Sequence, residues 1–220
     1  MRTVSSRLLF CFLLILTVSR CAVAQYTDEV VQRGSTPGSR ITVRCQILDY
    51  TGSKLTAKQA ASSKPFEIKA SNVITVRTAQ TTAQKVGIKA FNEGKTRDAE
   101  FQFTEAINSE PRTWMRREIL TMLVRCALKR NDYLTAGTRF QLLFESDSET
   151  AHMNLIPLLW NDDVVDGETR TAAIAWLQDE KPLARLLAAS WLFFDPGHSE
   201  TAFAVLNELA RTPPERIRQL

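Results

Sequence analysis

The stretch Thr81–Pro111, TTAQKVGIKAFNEGKTRDAEFQFTEAINSEP, decides the fold. Its small residues fall at fixed intervals: Gly87 is followed twelve residues later by Ala99, then Phe103, Ala106 and Pro111. Gly87 and Ala99 carry little or no side chain, so two antiparallel helices can approach closely at that level, and Phe103 fills the space above them. Asn92-Glu93-Gly94 reads as the turn, with Gly94 suited to the left-handed conformation that ends a helix. Thr96 is placed to cap the second helix by accepting a backbone N–H bond. Pro111 stops it.

A helical hairpin of this kind cannot bury its apolar face alone, which predicts further units. Asn131, Ala136, Phe140 and Leu143 repeat the intervals over about 117–150, with Tyr133 after the turn. A degenerate unit is expected over 183–216, where Gly197, Ala202, Leu206, Leu209 and Pro214 take the corresponding places. These spacings resemble the tetratricopeptide (TPR) repeat, closely over Thr81–Thr150 and loosely over Leu183–Arg216. The resemblance implies an array of helical hairpins whose first helices line a concave, peptide-binding face. By position in the repeat it puts Lys85, Ile88 and Asn92 of the first unit, and Met122, Arg125 and Lys129 of the second, on that face. It stops short of the carboxylate-clamp type, because Gln84 and Ile88 stand where that type has a lysine and an asparagine.

Before the repeats the pattern is β. In Arg40–Leu48, Ile41, Val43, Cys45 and Ile47 alternate with Thr42, Arg44 and Gln46, which reads as a half-buried strand. Leu55–Lys58, Phe66–Lys69 and Val73–Thr78 are further strands, separated by Asp49-Tyr50-Thr51-Gly52, a polar loop and Ala70-Ser71-Asn72. The expectation is a small antiparallel meander or barrel over 40–78. Its opening resembles SH3-like and Sm-like barrels, with no site residue carried over. Residues 25–39 are expected to be a flexible lead-in. The fold class is therefore α+β, mostly α: a β module, then the helical array over 81–220. That order resembles exported bacterial proteins with a β module before TPR units, which implies a domain order and no activity.

Residues 1–24 read as a signal peptide: Arg2 and Arg7 precede the apolar run Leu8–Val18, and Ala22-Val23-Ala24 offers a small-x-small cleavage site before Gln25. An uncleaved anchor is the alternative. Cleavage predicts an exported protein, periplasmic or extracellular, with no transmembrane segment left. It also changes the charge: 28 basic residues less three arginines leaves 25 against 24 acids, a net +1. So nearly neutral a chain is not expected to bind nucleic acid. Cys45 and Cys126 remain; export is compatible with one disulfide, but a strand cysteine and a helix cysteine in different units favour two separately buried thiols.

Arg33 to Lys89 holds ten basic residues and two acids, either a face for an anionic polymer or the solvated outer side of a sheet. Glu145–Glu168 holds seven acids and no Lys or Arg, and reads as a long loop interrupting the array. Asn161, Asp162, Asp163, Asp166 and Glu168 do not follow an EF-hand spacing, so no metal is expected. His152 and His198 belong to no metal motif, and no nucleophile elbow or C-x-x-C occurs. The chain is thus read as a non-enzymatic scaffold or adaptor without a cofactor, holding a protein or peptide segment in the groove. Lys85, Arg125 and Lys129 would favour an acidic one. The alternative is a surface-binding module whose basic β domain holds an anionic envelope polymer. An enzyme is the least favoured class.

Overall fold

The alternation over Arg40–Leu48 produces the longest strand of a five-stranded antiparallel sheet. A computed structural model describes residues 28–59, 62, 64–160 and 165–211. The strands are β1 (Asp28–Arg33), β2 (Arg40–Tyr50), β3 (Lys54–Lys58), β4 (Phe66–Lys69) and β5 (Val73–Arg77), in spatial order β4-β3-β2-β1-β5. Strands β2, β3 and β4 form the expected meander. A 3₁₀ turn at Ala70–Asn72 then sends β5 back to pair with β1, so β5 and β4 are the two edges.

The lead-in expected to be flexible is, from Asp28 onward, a strand and a hairpin turn. Ser39 closes that turn by accepting a bond from the Gly34 amide at 3.0 Å. Only Val30 and Val31 are apolar in β1, too few for a period-two signal. The strand is set by its two neighbours and by Asp28, whose carboxylate accepts from the Ile47 amide at 2.8 Å. One face of β2 also departs from expectation. Cys45 and Ile47 are buried, Val43 is half-buried and Ile41 is exposed, because the β1–β2 hairpin runs out past the core. The signal peptide expected over residues 1–24 lies outside the described residues.

Seven helices follow: α1 (Thr82–Asn92), α2 (Thr96–Ser109), α3 (Thr113–Leu128), α4 (Tyr133–Ser146), α5 (Gly167–Trp176), α6 (Pro182–Leu192) and α7 (Ser199–Arg211). The first hairpin closes as its small residues require. A Cβ on Gly87 would lie 2.9 Å from the Phe103 ring, and Ala99, Phe103 and Ala106 have no exposed surface. Gly94 takes a φ of +78° in the turn. Thr96 does not cap α2; its hydroxyl instead donates to the Gly94 carbonyl, and Lys95 occupies the cap position. In the second hairpin Ala136, Phe140 and Leu143 are equally enclosed, and Asp132 caps α4 through the Thr135 amide.

The acidic stretch is largely a connection with one 3₁₀ turn at Met153–Leu155, and Asp166 caps α5. Hydrogen bonds from Thr169 and Glu168 hold the Asp166 carboxyl below its ordinary range. Residues 161–164 lie outside the described residues. Helix α6 is buried on nearly every side and packs against both α5 and α7. The third unit expected over 183–216 therefore has two helical neighbours for its first helix, with Trp176 of α5 stacked 5.4 Å from Trp191 of α6. Pro214 and the rest of 212–220 lie outside the described residues.

The apolar core does not divide at residue 80, where the β module was expected to end. Val30, Ile47, Leu55 and Ile68 of the sheet share one cluster with Ala90, Phe103, Trp114 and Ile119 of α1, α2 and α3. A second cluster joins Val124 to α4, α5, α6 and α7. Three polar contacts fix the sheet to the helices. Arg112 donates to both Glu110 carboxylate oxygens at 2.7 and 2.8 Å and to the Thr78 hydroxyl at 2.6 Å. Thr78 in turn donates to Asp28 at 2.5 Å. Burial alone would raise the Glu110 pKa, but the Arg112 bonds hold it below the ordinary value. Arg117 on α3 pairs with Asp49 and donates to the Tyr50 carbonyl at 2.9 Å and the Ser146 hydroxyl at 3.3 Å. Gly52 donates to Asp147 at 2.9 Å, and a Cβ there would fall 1.3 Å from the Glu149 carbonyl oxygen.

Two expectations follow. Backbone cannot yield to backbone, so Gly52→Ala should lower stability by about 3 kcal/mol or more and raise hydrogen exchange across residues 147–150; an unchanged melting temperature would mean that this loop does not seat the sheet. Cys45 and Cys126 are both free and buried, and burial pushes each thiol up to about 11. In the native protein both should resist a thiol reagent at pH 8 and react once denaturant is added. Rapid labelling of either thiol without denaturant would contradict this burial.

Candidate functional site

Docking the sheet on the helices leaves a cleft of about 480 Å³ between β5, α1 and α3. Helix α3 contributes Trp114, Arg117, Thr121 and Arg125, whose spacing of three and four residues puts them on one face. At 1.5 Å per residue that row runs ~16 Å along the helix. Helix α1 contributes Gln84 and Ile88, one turn apart, and Met115 and Met122 add apolar surface. The fourth wall is Val73, Ile74, Thr75 and Val76 of β5. Among the described residues β5 ends the sheet order, so this wall is an edge strand of the sheet. Asp147, Thr150, Ala151 and His152 close one end, with His152 Nε2 3.2 Å from a Glu118 oxygen.

Most buried polar groups in a folded protein are hydrogen-bonded, and each exception calls for an explanation. Four of the five exceptions among the described residues belong to residues of this cleft; the fifth, Arg130 Nη1, lies elsewhere in an ion pair with Glu100. Gln84 Oε1, Trp114 Nε1, Arg117 Nε and Arg125 Nε are buried without a hydrogen-bond partner, and all four residues line this cleft. Gln84, Trp114 and Arg117 are 5 %, 3 % and 7 % exposed. Arg117 is neutralised by Asp49, whereas the Arg125 guanidinium has no carboxylate partner among the described residues. Four residues with an unpaired buried polar atom thus line the cleft, where Arg125 has no carboxylate partner among the described residues and Ile88, Met115 and Met122 add apolar surface. Burial, aided by the Glu118 carboxylate, also pushes the Tyr50 hydroxyl at its rim above the ordinary pKa.

Three of the six groove residues expected from the repeat spacing, Ile88, Met122 and Arg125, line this cleft. Lys85 and Asn92 are exposed on α1 outside the lining, and Lys129 sits with its ammonium 4.2 Å from the Phe91 ring. Helices α1 and α3 are therefore neighbours, but the three expected cations do not converge: only Arg125 enters the cleft. Arg117 is a buried clamp. Trp114 is enclosed, lines the cleft and has an unpartnered indole N–H. The period-four run Arg117-Thr121-Arg125 is the signal that could have found this face, since polar residues there interrupt an otherwise buried helix. The β5 wall carried no sequence signal, because pairing of β5 with β1 is what brings it there.

The basic residues of the sheet are partly neutralised: Lys54 pairs with Glu67 at 2.5 Å and Arg77 with Glu29 at 2.7 Å. Asp166 and Glu168 of the acidic stretch serve the start of α5, while Asn161, Asp162 and Asp163 lie outside the described residues. Among the described residues no group of three or more His, Cys, Asp or Glu is placed to hold a metal ion, and no helix is long and apolar enough to cross a membrane.

Comparison with known proteins returned no match: no family model, no curated protein and no solved structure is significantly similar to this chain.

Proposed function

We propose that the protein is an exported interaction scaffold that holds a segment of a partner protein in the cleft between β5, α1 and α3. One observation carries this reading: a cleft between the sheet and the helices brings together Trp114, Arg117 and Arg125, and Arg125 has no carboxylate partner among the described residues. An unmet donor or acceptor costs about 1–3 kcal/mol, and four such atoms belong to residues that line this cleft. The free guanidinium of Arg125 favours an acidic segment, by electrostatic complementarity. The TPR reading of α1–α4 is supported by the Gly87–Phe103 contact and by the enclosed Ala99, Ala136 and Phe140. The return of β5 to β1 through a 3₁₀ turn supports the SH3-like reading of the sheet.

The test compares baits in capture from an envelope extract. A partner recovered with the unaltered protein should be lost with Arg125→Glu, and its affinity should fall by about 2–5 kcal/mol if that contact is desolvated. Raising the salt concentration should weaken the unaltered complex further. Equal recovery with Arg125→Glu, combined with loss in an Arg44→Glu/Lys69→Glu variant on the exposed sheet, would move the interface to the basic β surface.

A further inference from the structure

We infer that the segment held in the cleft is an extended strand that pairs through its backbone with the free edge of β5, making a sixth strand of the sheet. The inference rests on the scaffold reading above and specifies how the partner is recognised.

Among the described residues strand β5 ends the sheet order, so along one side its N–H and C=O groups meet no described strand. Such an edge is a template for another chain. In this protein it forms a wall of the cleft along Val73–Val76. Helices α1 and α3 line the rest of the cleft, so an added strand would lay one backbone edge on β5 and turn alternate side chains, perpendicular to the pairing direction, toward the helices. Strand addition uses the two sides separately: backbone bonds supply affinity, and alternate side chains are read by pockets. The row from Trp114 to Arg125 spans ~16 Å, the length of about five residues of extended chain. Those alternate side chains would face the residues of α3 that line the cleft, Trp114, Arg117 and Arg125. The uncompensated charge of Arg125 selects an acidic residue among them.

The edge is also defended against long, indiscriminate pairing. The β1–β5 register breaks between Val31 and Gln32, where Thr75 pairs with Val31 and Val73 with Gln32, leaving Ile74 as the extra residue of a bulge. Ile74 is 42 % exposed. A bulge bends and twists a strand, which discourages a flat sheet from extending it. A short segment confined by α1 and α3 needs only a few paired residues, so bulge and slot together admit a short strand and reject a long one.

The test uses the uniformly ¹⁵N-labelled protein and the peptide Ac-VEVEV-NH2 as probe. Binding should shift the Trp114 indole N–H resonance and slow hydrogen exchange of β5 amides that do not bond to β1 by about tenfold or more. The same peptide with alternate backbone amides N-methylated keeps its carboxylates but cannot pair as a strand, and should bind at least about tenfold more weakly. Ac-VKVKV-NH2 should fail to shift the indole. Equal binding of the N-methylated peptide, with the Trp114 shift but no protection at β5, overturns strand addition and leaves the cleft reading standing. Shifts confined to residues away from Trp114 and Arg125, or no shift with millimolar Ac-VEVEV-NH2, overturn the strand proposal; in the first case the cleft reading falls with it.

Discussion

The fork of Arg117 joins three parts of the chain that are far apart in sequence. From the middle of α3 it reaches Asp49 and the Tyr50 carbonyl at the end of β2, and the Ser146 hydroxyl at the end of α4. A guanidinium is always charged and offers its donors in a fixed plane, so satisfying it sets the angle as well as the distance of the sheet against the helices. Arg117 is the buried member of the pair and Asp49 is half exposed, so removing the carboxylate leaves a largely enclosed guanidinium without its charge partner. The contact works with two others. The Asp28–Thr78–Arg112–Glu110 chain holds the opposite end of the sheet, and Gly52 lies flat against the Glu149 backbone where any side chain would intrude. The sheet is thus seated at three places, each polar, on top of a shared apolar core.

The cleft follows from this seating. Neither the sheet nor the helices contain it alone: β5 supplies one wall, α1 and α3 the others, and the 147–152 connection closes an end. The same arginine that seats the sheet also lines the cleft, its Nε unpartnered while its other donors meet Asp49, Tyr50 and Ser146. Arg125, two turns further along α3, has no carboxylate partner among the described residues. That charge beside the edge strand of the sheet is the physical basis of the binding role proposed for the cleft.

Helix α3 serves as a common wall. One side belongs to the cluster that includes the sheet and the first hairpin, through Trp114, Met115, Ile119 and Cys126, and the other to the cluster of α4 to α7 through Val124. Leu120 packs against both. This double burial explains why its buried face includes polar residues: Arg117 and Thr121 stand where neither cluster closes completely and the cleft intervenes.

The local pattern of the sequence was sufficient for most of the elements, β1 excepted. Period-two alternation marks β2, and small residues at 87, 99, 106 and 136 with phenylalanines at 103 and 140 mark the hairpins, because helix contact at close range tolerates only such side chains. Asp166, Asn131 and Gly94 likewise announce helix boundaries through backbone geometry that is local. Strand β1 was not legible, since two valines flanked by charged residues become a strand only when β2 and β5 lie on either side. The site was half legible: Ile88, Met122 and Arg125 follow from the face of a hairpin, whereas Trp114, Arg117, Gln84 and the β5 edge do not. Spacing along a helix reports which residues share a face, but not what comes to stand opposite that face. Here what stands opposite is a strand placed by pairing with β1, and only the tertiary structure decides that, because the contacts that bring it there join residues far apart in the chain.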